Sequence, residues 1–264
     1  MENLKISKNS LYGLKKIEEQ FESLHKGLHI IAGPCSVENR EMMEITAEKL
    51  SELGIEFLRG GAFKPRTSPY DFQGLGEEGL KILREAGKKF GMLTVSEVVD
   101  TRYVETMTRH VDMLQIGSRN MSNFELLKEV GRSKHPVLLK RGMCSTVEEF
   151  KFAAEYIANE GNKNITLCER GIRTFETATR NTLDIACIAI LKKETKLPVM
   201  VDLSHSLGRK DILISVARSV IAMGVDGIMI EVHNDPGKAL SDKFQQLSLD
   251  EFKYFMTQIA KNEV

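Results

Sequence analysis

Eight short apolar runs, the amphipathic stretches that separate them and their even spacing predict an α/β chain closed into one (β/α)8 barrel, the TIM-barrel architecture. The runs fall at residues 28–34, 56–61, 92–98, 113–118, 136–142, 165–171, 198–205 and 227–233. Each is rich in Val, Ile and Leu and closes on Gly or polar residues, as a strand buried on both faces does. Between them, stretches such as REMMEITAEKLSELG and DILISVARSVIAMG repeat apolar residues at helical spacing. A helix between successive strands forces parallel pairing. No G-x-G-x-x-G follows any run, so the open dinucleotide-binding sheet lacks its usual marker. The 264 residues suit one barrel, which takes about 250, and leave no room for a second full domain.

The barrel is expected over residues 28–264, preceded by a short helical extension, 1–27, in which Leu11, Leu14, Ile17, Phe21 and Leu24 mark one amphipathic face. Three connections after strands are long, at 62–74, 171–180 and 234–247, and in a barrel such loops build the chemistry. Lys and Arg (37) balance Asp and Glu (37), which argues against a nucleic-acid partner and requires any anion site to come from local clustering. No stretch reaches the ~18 uninterrupted apolar residues of a membrane span, and the N-terminus carries no apolar leader followed by a cleavage site. Cys35, Cys144, Cys168 and Cys187 form no CxxC pair, so they read as thiols of a cytoplasmic protein, the last three as packing residues.

The strand ends carry the functional signal. Arg59, Arg119, Lys140, Arg141 and Arg170 end four different strands, and Lys64 lies in the loop after the second. Parallel topology gathers them on one rim, where they repel one another unless an anion sits between them. Arginine grips carboxylate or phosphate bidentately and lysine adds a compact charge, so a substrate carrying both groups suits Arg59, Lys64, Arg119, Lys140 and Arg170. Singly, each could instead be a rim charge bridged to Asp or Glu. Cys35, His205 and Glu231 end the first, seventh and eighth strands, which become neighbours when the barrel closes. Thiolate, imidazole and carboxylate are the donors of a borderline transition metal, and Asp242 could add an oxygen. Glu97 could act on a water or proton or simply neutralise the ring; His233 is as readily structural as functional.

Nine ordered motifs then carry a resemblance. Gly33-Pro34-Cys35-Ser36, Leu58-Arg59-Gly60-Gly61, the segment from Phe63-Lys64-Pro65-Arg66-Thr67 to Tyr70, Gly117-Ser118-Arg119-Asn120 and Leu139-Lys140-Arg141-Gly142 are followed by Cys168-Glu169-Arg170-Gly171, Val201-Asp202-Leu203-Ser204-His205, Ile230-Glu231-Val232-His233 and Ser241-Asp242. From about residue 28 to the end the chain resembles the class I 3-deoxy-D-arabino-heptulosonate 7-phosphate (DAHP) synthases, in the smaller subgroup that includes octulosonate 8-phosphate synthases.

That resemblance implies condensation of phosphoenolpyruvate with erythrose 4-phosphate, the entry to the shikimate pathway. It implies a divalent metal of the Mn, Fe, Zn or Co type on Cys35, His205, Glu231 and Asp242. Phosphoenolpyruvate would be held by Arg59, Lys64, Lys140, Arg119 and Arg170, the last two mainly at its phosphate. Arg66 and Thr67 would reach the aldose phosphate, and Lys64, between the two substrates, is the candidate to deliver a proton to the new alkoxide. Lys64-Pro65-Arg66-Thr67 favours the heptulosonate enzyme, since octulosonate synthases typically read Lys-Ala-Asn-Arg-Ser there. Metal-independent octulosonate synthases carry Asn where this chain has Cys35. Ser118 departs from the Ala that many relatives place before the arginine. An octulosonate synthase and a silent phosphoenolpyruvate-binding barrel remain the alternatives. The family implies a homotetramer or homodimer. With only the extension ahead of the barrel, little direct feedback by aromatic amino acids is expected, unless a separate chorismate mutase docks.

Overall fold

The structure, a computed structural model, describes residues 27–260. Its sheet is a closed barrel of eight strands in sequence order: β1 His29–Gly33, β2 Phe57–Arg59, β3 Leu93–Val98, β4 Met113–Ile116, β5 Val137–Lys140, β6 Ile165–Glu169, β7 Val199–Asp202 and β8 Gly227–Glu231. Every neighbouring pair is parallel, and the ring closes where β1 meets β8 from His29↔Gly227 to Gly33↔Glu231. Nine α-helices lie among the described residues: α1 Arg40–Glu52, α2 Glu77–Phe90, α3 Val104–Thr108, α4 Phe124–Ser133, α5 Val147–Asn159, α6 Ile185–Glu194, α7 Leu203–Leu207, α8 Leu213–Ala222 and α9 Leu249–Ala260. The amphipathic helix expected from Leu11 to Leu24 lies outside the described residues.

Local chemistry sets the helix ends. The Asn39 side chain accepts the Met42 N–H to open α1, and Thr146 and Glu149 close a reciprocal capping box on α5. Gly91, at φ 69°, turns the chain out of α2 in the left-handed region. The strands are shorter than the apolar runs. The run at 198–205 is strand only to Asp202, after which the Asp202 carboxylate accepts the His205 N–H and starts the single-turn α7. His205 therefore stands on a helical turn rather than at a strand end, and Arg119 likewise sits in a 3-10 turn, Ser118–Asn120.

Strand alternation explains the interior. Ile31, Phe57, Val95, Met113, Leu138, Cys168, Met200 and Met229, one from each strand, form a buried apolar layer inside the barrel. A second, larger cluster packs the outer strand faces against the helices. Two residues beyond each member of the inner layer come Gly33, Arg59, Glu97, Gln115, Lys140, Arg170, Asp202 and Glu231. A period of two turns these toward the axis as well, at the C-terminal mouth. The barrel floor is hydrocarbon and its mouth is polar on the same eight strands. Gly33 is the one small member because β1 and β2 converge there: at its φ of 143°, a Cβ would lie 2.1 Å from the Arg59 carbonyl oxygen.

Candidate active site and metal centre

A cavity of about 290 Å3 opens at this mouth. Arg59, Lys64, Arg66, Thr67, Arg119, Lys140 and Arg170 all line it, as do His205, Asp242 and Glu97. Cys35 and Glu231 lie fully buried in its wall, their donor atoms grouped with those of His205 and Asp242. Arg141, counted with the ring in the sequence, turns away: alternation sends it outward from Lys140, and Nη1 binds Glu169 at 3.0 Å and Asp184 at 2.8 Å. His233 is also outside the cavity, 3.6 Å from Glu38 and accepting the Asp235 N–H on Nδ1. Cys168 and Cys187 are buried as expected, but Cys144 is exposed on the loop after β5, so it packs no core.

The cations divide into two kinds. Arg59 donates to Glu231 at 2.8 Å and to the Pro34 carbonyl at 2.9 Å, and Lys140 is ion-paired with Asp202. For these two the carboxylate bridge is real. Lys64, Arg119, Arg170 and Arg173 have no carboxylate within ion-pair distance among the described residues. Arg170 is the sharpest case: it is buried, its Nε finds no partner, and its one side-chain bond is a 3.4 Å contact with the Gly171 carbonyl. Burial lowers the pKa of its guanidinium from the ordinary value. A buried guanidinium without a carboxylate partner is costly until an anion reaches it.

The second constellation meets the geometry of a metal. Ligand atoms of Cys35, His205, Glu231 and Asp242 all lie within 4.8 Å of one another. His205 Nε2 is 3.5 Å from Glu231 Oε1 and 3.6 Å from Asp242 Oδ2, and Cys35 Sγ is 3.6 Å from Asp242 Oδ2. Four tetrahedral donors at about 2.0–2.3 Å from a first-row ion stand about 3.3–3.8 Å apart, and these three separations fall in that range. The donors also have the needed surroundings. Burial pushes the His205 imidazole down, toward the neutral form that ligates, and its Nδ1 lies 2.8 Å from Asp202. Burial resists ionisation of Asp242, but His205 and then Arg180, at 2.9 Å, hold its carboxyl well below the usual range. Burial first and Glu231 second push the Cys35 thiol up to about 11, so a cation binding there displaces its proton. Lys64 joins the halves: it lines the cavity while Nζ donates to the Cys35 carbonyl at 2.9 Å and Sγ at 3.1 Å.

Several contributors escaped the sequence reading. Asp202 serves both constellations, touching His205 and Lys140; its signal was its place three residues before His205, at an inward strand position. Arg173 and Arg180 come from the loop 171–180, whose length flagged it, yet nothing singled those two residues out. Gln115 sits inward on β4 beside Glu97, which takes its amide at 3.3 Å. Glu97 also packs on the Gly117 backbone, where a Cβ would stand 1.9 Å from Oε1.

Comparison with known proteins follows this geometry. The family model described as the DAHP synthetase I family matches residues 18–263. A phospho-2-dehydro-3-deoxyheptonate aldolase of Thermotoga maritima is 56% identical over 232 residues, covering 88% of this chain and 69% of that protein. A 2-dehydro-3-deoxyphosphooctonate aldolase of Stenotrophomonas maltophilia is 31% identical over 250 residues, covering 87% of this chain and 89% of the relative. The crystal structure of the Thermotoga maritima aldolase superposes with a TM-score of 0.86 at 54% identity, over 90% of this chain and 70% of that one. A truncated form of 3-deoxy-D-arabino-heptulosonate 7-phosphate synthase from the same organism gives 0.83 at 53% identity, over 90% and 88%.

Proposed function

This chain belongs to the DAHP synthetase I family, and from that premise we propose how its cavity performs the family's reaction. It is a DAHP synthase: it condenses phosphoenolpyruvate with erythrose 4-phosphate and water to give 3-deoxy-D-arabino-heptulosonate 7-phosphate and phosphate. The observation that carries the site assignment is the junction of two unlike halves, unpaired cations on one side and four metal-type donors on the other, with Lys64 touching both.

Arg170 and Arg119, free of carboxylates among the described residues, take the phosphate of phosphoenolpyruvate. Arg59 and Lys140, each steadied by one carboxylate, present their remaining donors to the carboxylate of the same substrate. Arg66, loosely paired with Asp71 at 3.4 Å, and Thr67 reach the phosphate of the aldose. This anchoring aligns carbon three of phosphoenolpyruvate with the aldehyde carbon, converting an encounter into an intramolecular approach. Cys35, His205, Glu231 and Asp242 would hold a divalent ion of the Mn, Fe, Zn or Co class. Such an ion supplies Lewis-acid polarisation or orientation of the aldehyde oxygen when bound. As the new bond forms, Lys64, whose ammonium lies where the two halves meet, gives its proton to the oxygen that becomes alkoxide. Water then adds at carbon two, and the tetrahedral species loses phosphate by C–O cleavage against Arg119 and Arg170.

Assembly as a dimer or tetramer belongs to the same reading and is supported by the exposed Phe124, Phe152 and Tyr156 on α4 and α5. No helix among the described residues is long and apolar enough to cross a membrane. Purified protein given phosphoenolpyruvate with erythrose 4-phosphate, and separately with arabinose 5-phosphate, tests the activity. Phosphate release with the four-carbon sugar alone is the expected result. Turnover only with the five-carbon sugar would make it an octulosonate synthase, and turnover with neither would leave a binding barrel.

A further inference from the structure

One buried side chain beside the metal-type donors binds backbone rather than any of their four ligand atoms. Gln246 is fully buried, and its carboxamide spans two remote pieces of backbone. Oε1 accepts the N–H of Cys35 at 2.9 Å, while Nε2 donates to the carbonyl of Ser241 at 2.8 Å. Cys35 is itself a donor residue, and Ser241 immediately precedes Asp242. A second tie reinforces the first, because the hydroxyls of Ser36 and Ser241 meet at 2.6 Å. Gln246 is anchored through the next residue, since Leu247 N–H binds the Glu231 carbonyl at 2.9 Å. Asp242 has a φ of 45°, in the left-handed region that L side chains seldom adopt, so the backbone on either side of it is conformationally demanding.

We propose that Gln246 is a positioning residue for the cation site, its amide holding the donor just after β1 and the last-loop donor at the separation an ion requires. The inference rests on the metal reading given above. A rigid planar amide with one acceptor and one donor is well matched to a backbone N–H and a backbone C=O. An apolar chain of similar size fills the space but leaves both groups buried and unpaired, so the loop carrying Asp242 shifts to regain partners. Neighbouring Gln245 is a poorer probe of the idea: its Nε2 meets the carboxylates of Glu231 at 2.6 Å and Asp242 at 3.4 Å, so its removal also changes the donors' charge balance.

The test is Co(II) titration of metal-free Gln246→Met and Gln246→Leu proteins beside the parent, read by the thiolate-to-Co(II) charge-transfer absorption. Phosphoenolpyruvate binding by the metal-free proteins and thermal unfolding are measured in parallel. The expected result is a Co(II) dissociation constant raised about 10–100-fold in the folded variants, with metal-free phosphoenolpyruvate affinity within about twofold of the parent. Co(II) affinity within about threefold of the parent in either folded variant overturns the proposal, as does an equal loss of phosphoenolpyruvate affinity. Failure of both variants to fold makes Gln246 a residue of the fold and also overturns it. A parent that shows no Co(II)–thiolate band removes the metal reading itself, an outcome separate from a parent that binds and variants that match it.

Discussion

Leu138 and Lys140 stand two residues apart on β5, both facing the barrel axis and both buried, yet their surroundings share almost nothing. Leu138 lies in the floor layer with Phe57, Met200, Met229 and the other inward apolar side chains. Lys140 lies in the mouth layer, ion-paired with Asp202 beneath the cavity. The same contrast repeats around the ring, with Met229 under Glu231, Phe57 under Arg59 and Cys168 under Arg170. The floor layer stabilises the fold by removing apolar surface from water. The mouth layer does the reverse, since each buried ion costs several kcal/mol to desolvate and pairing repays only part of it. The fold carries that cost where the eight strands open on the cavity, so activity and stability are expected to separate along a single strand.

Four experiments break that contrast if it is wrong. Chelation should have the largest effect, abolishing turnover and restoring it on addition of Mn(II) or Co(II). The floor should scarcely register it, with stability falling only by the ion's binding contribution, about 2.7 kcal/mol at one hundred times its dissociation constant. Activity that survives exhaustive chelation would leave the four-donor cluster without its role. Next comes the matched pair Arg170→Ala and Leu138→Ala. The mouth variant should weaken phosphoenolpyruvate capture by about 2–5 kcal/mol in kcat/KM, with unfolding little changed or slightly harder. The floor variant should lose about 2–5 kcal/mol of stability and keep its kcat/KM per folded molecule. Calorimetry beside steady-state kinetics decides, and the opposite assignment would erase the distinction between the layers.

Asp202→Asn is smaller and sharper. Asp202 lies 2.8 Å from His205 Nδ1 and pairs with Lys140, so its loss should weaken metal binding about 10–100-fold and raise the KM for phosphoenolpyruvate together. A change in only one of the two would show that the halves of the mouth are not joined through this carboxylate. The smallest effect lies below the floor layer, at Glu56, just before β2. Burial alone pushes its carboxyl up from 4.5 to about 7, and its Oε2 has no partner. The folded state therefore holds this proton more tightly than the unfolded chain does. The stability it confers is complete below about pH 4.5 and is lost as pH rises through about 7. Glu56→Gln should flatten that window and gain a few tenths of a kcal/mol at pH 8, the shift being discounted for a side chain partly screened by water. Parallel unfolding curves at pH 5 and pH 8 for parent and variant would show otherwise.

Much of this was legible beforehand for a physical reason. The eight strands, their order and their inward charges follow from local patterning, because strand periodicity and helix amphipathicity are set by neighbours in the chain. The seven expected anion-binding residues all line the cavity and the four expected metal donors converge: parallel topology gathers the residues near strand ends on one rim, while Arg66 and Thr67, in the loop after β2, were implied by the resemblance alone. The less legible features were those with a remote partner. That Arg59 faces Glu231 across 172 residues, and that Gln246 reaches Cys35 across 211, has no trace in local pattern. Arg141 was misplaced because one residue of alternation separates a lining cation from an outward ion pair, and the run alone did not fix where the strand ended.

The sequence by itself determined that eight parallel strands would carry hydrocarbon below and charge above, and its ordered motifs named the chemistry of the mouth. Only the tertiary structure decided which cavity cations are paired with carboxylates and which, among the described residues, are not. It also decided that His205 rides a helical turn, and that the last loop is fastened to the first strand. Those outcomes depend on the closure of β1 against β8, and a Coulomb or hydrogen-bond partner is chosen by distance in space, which the chain acquires only when the barrel shuts.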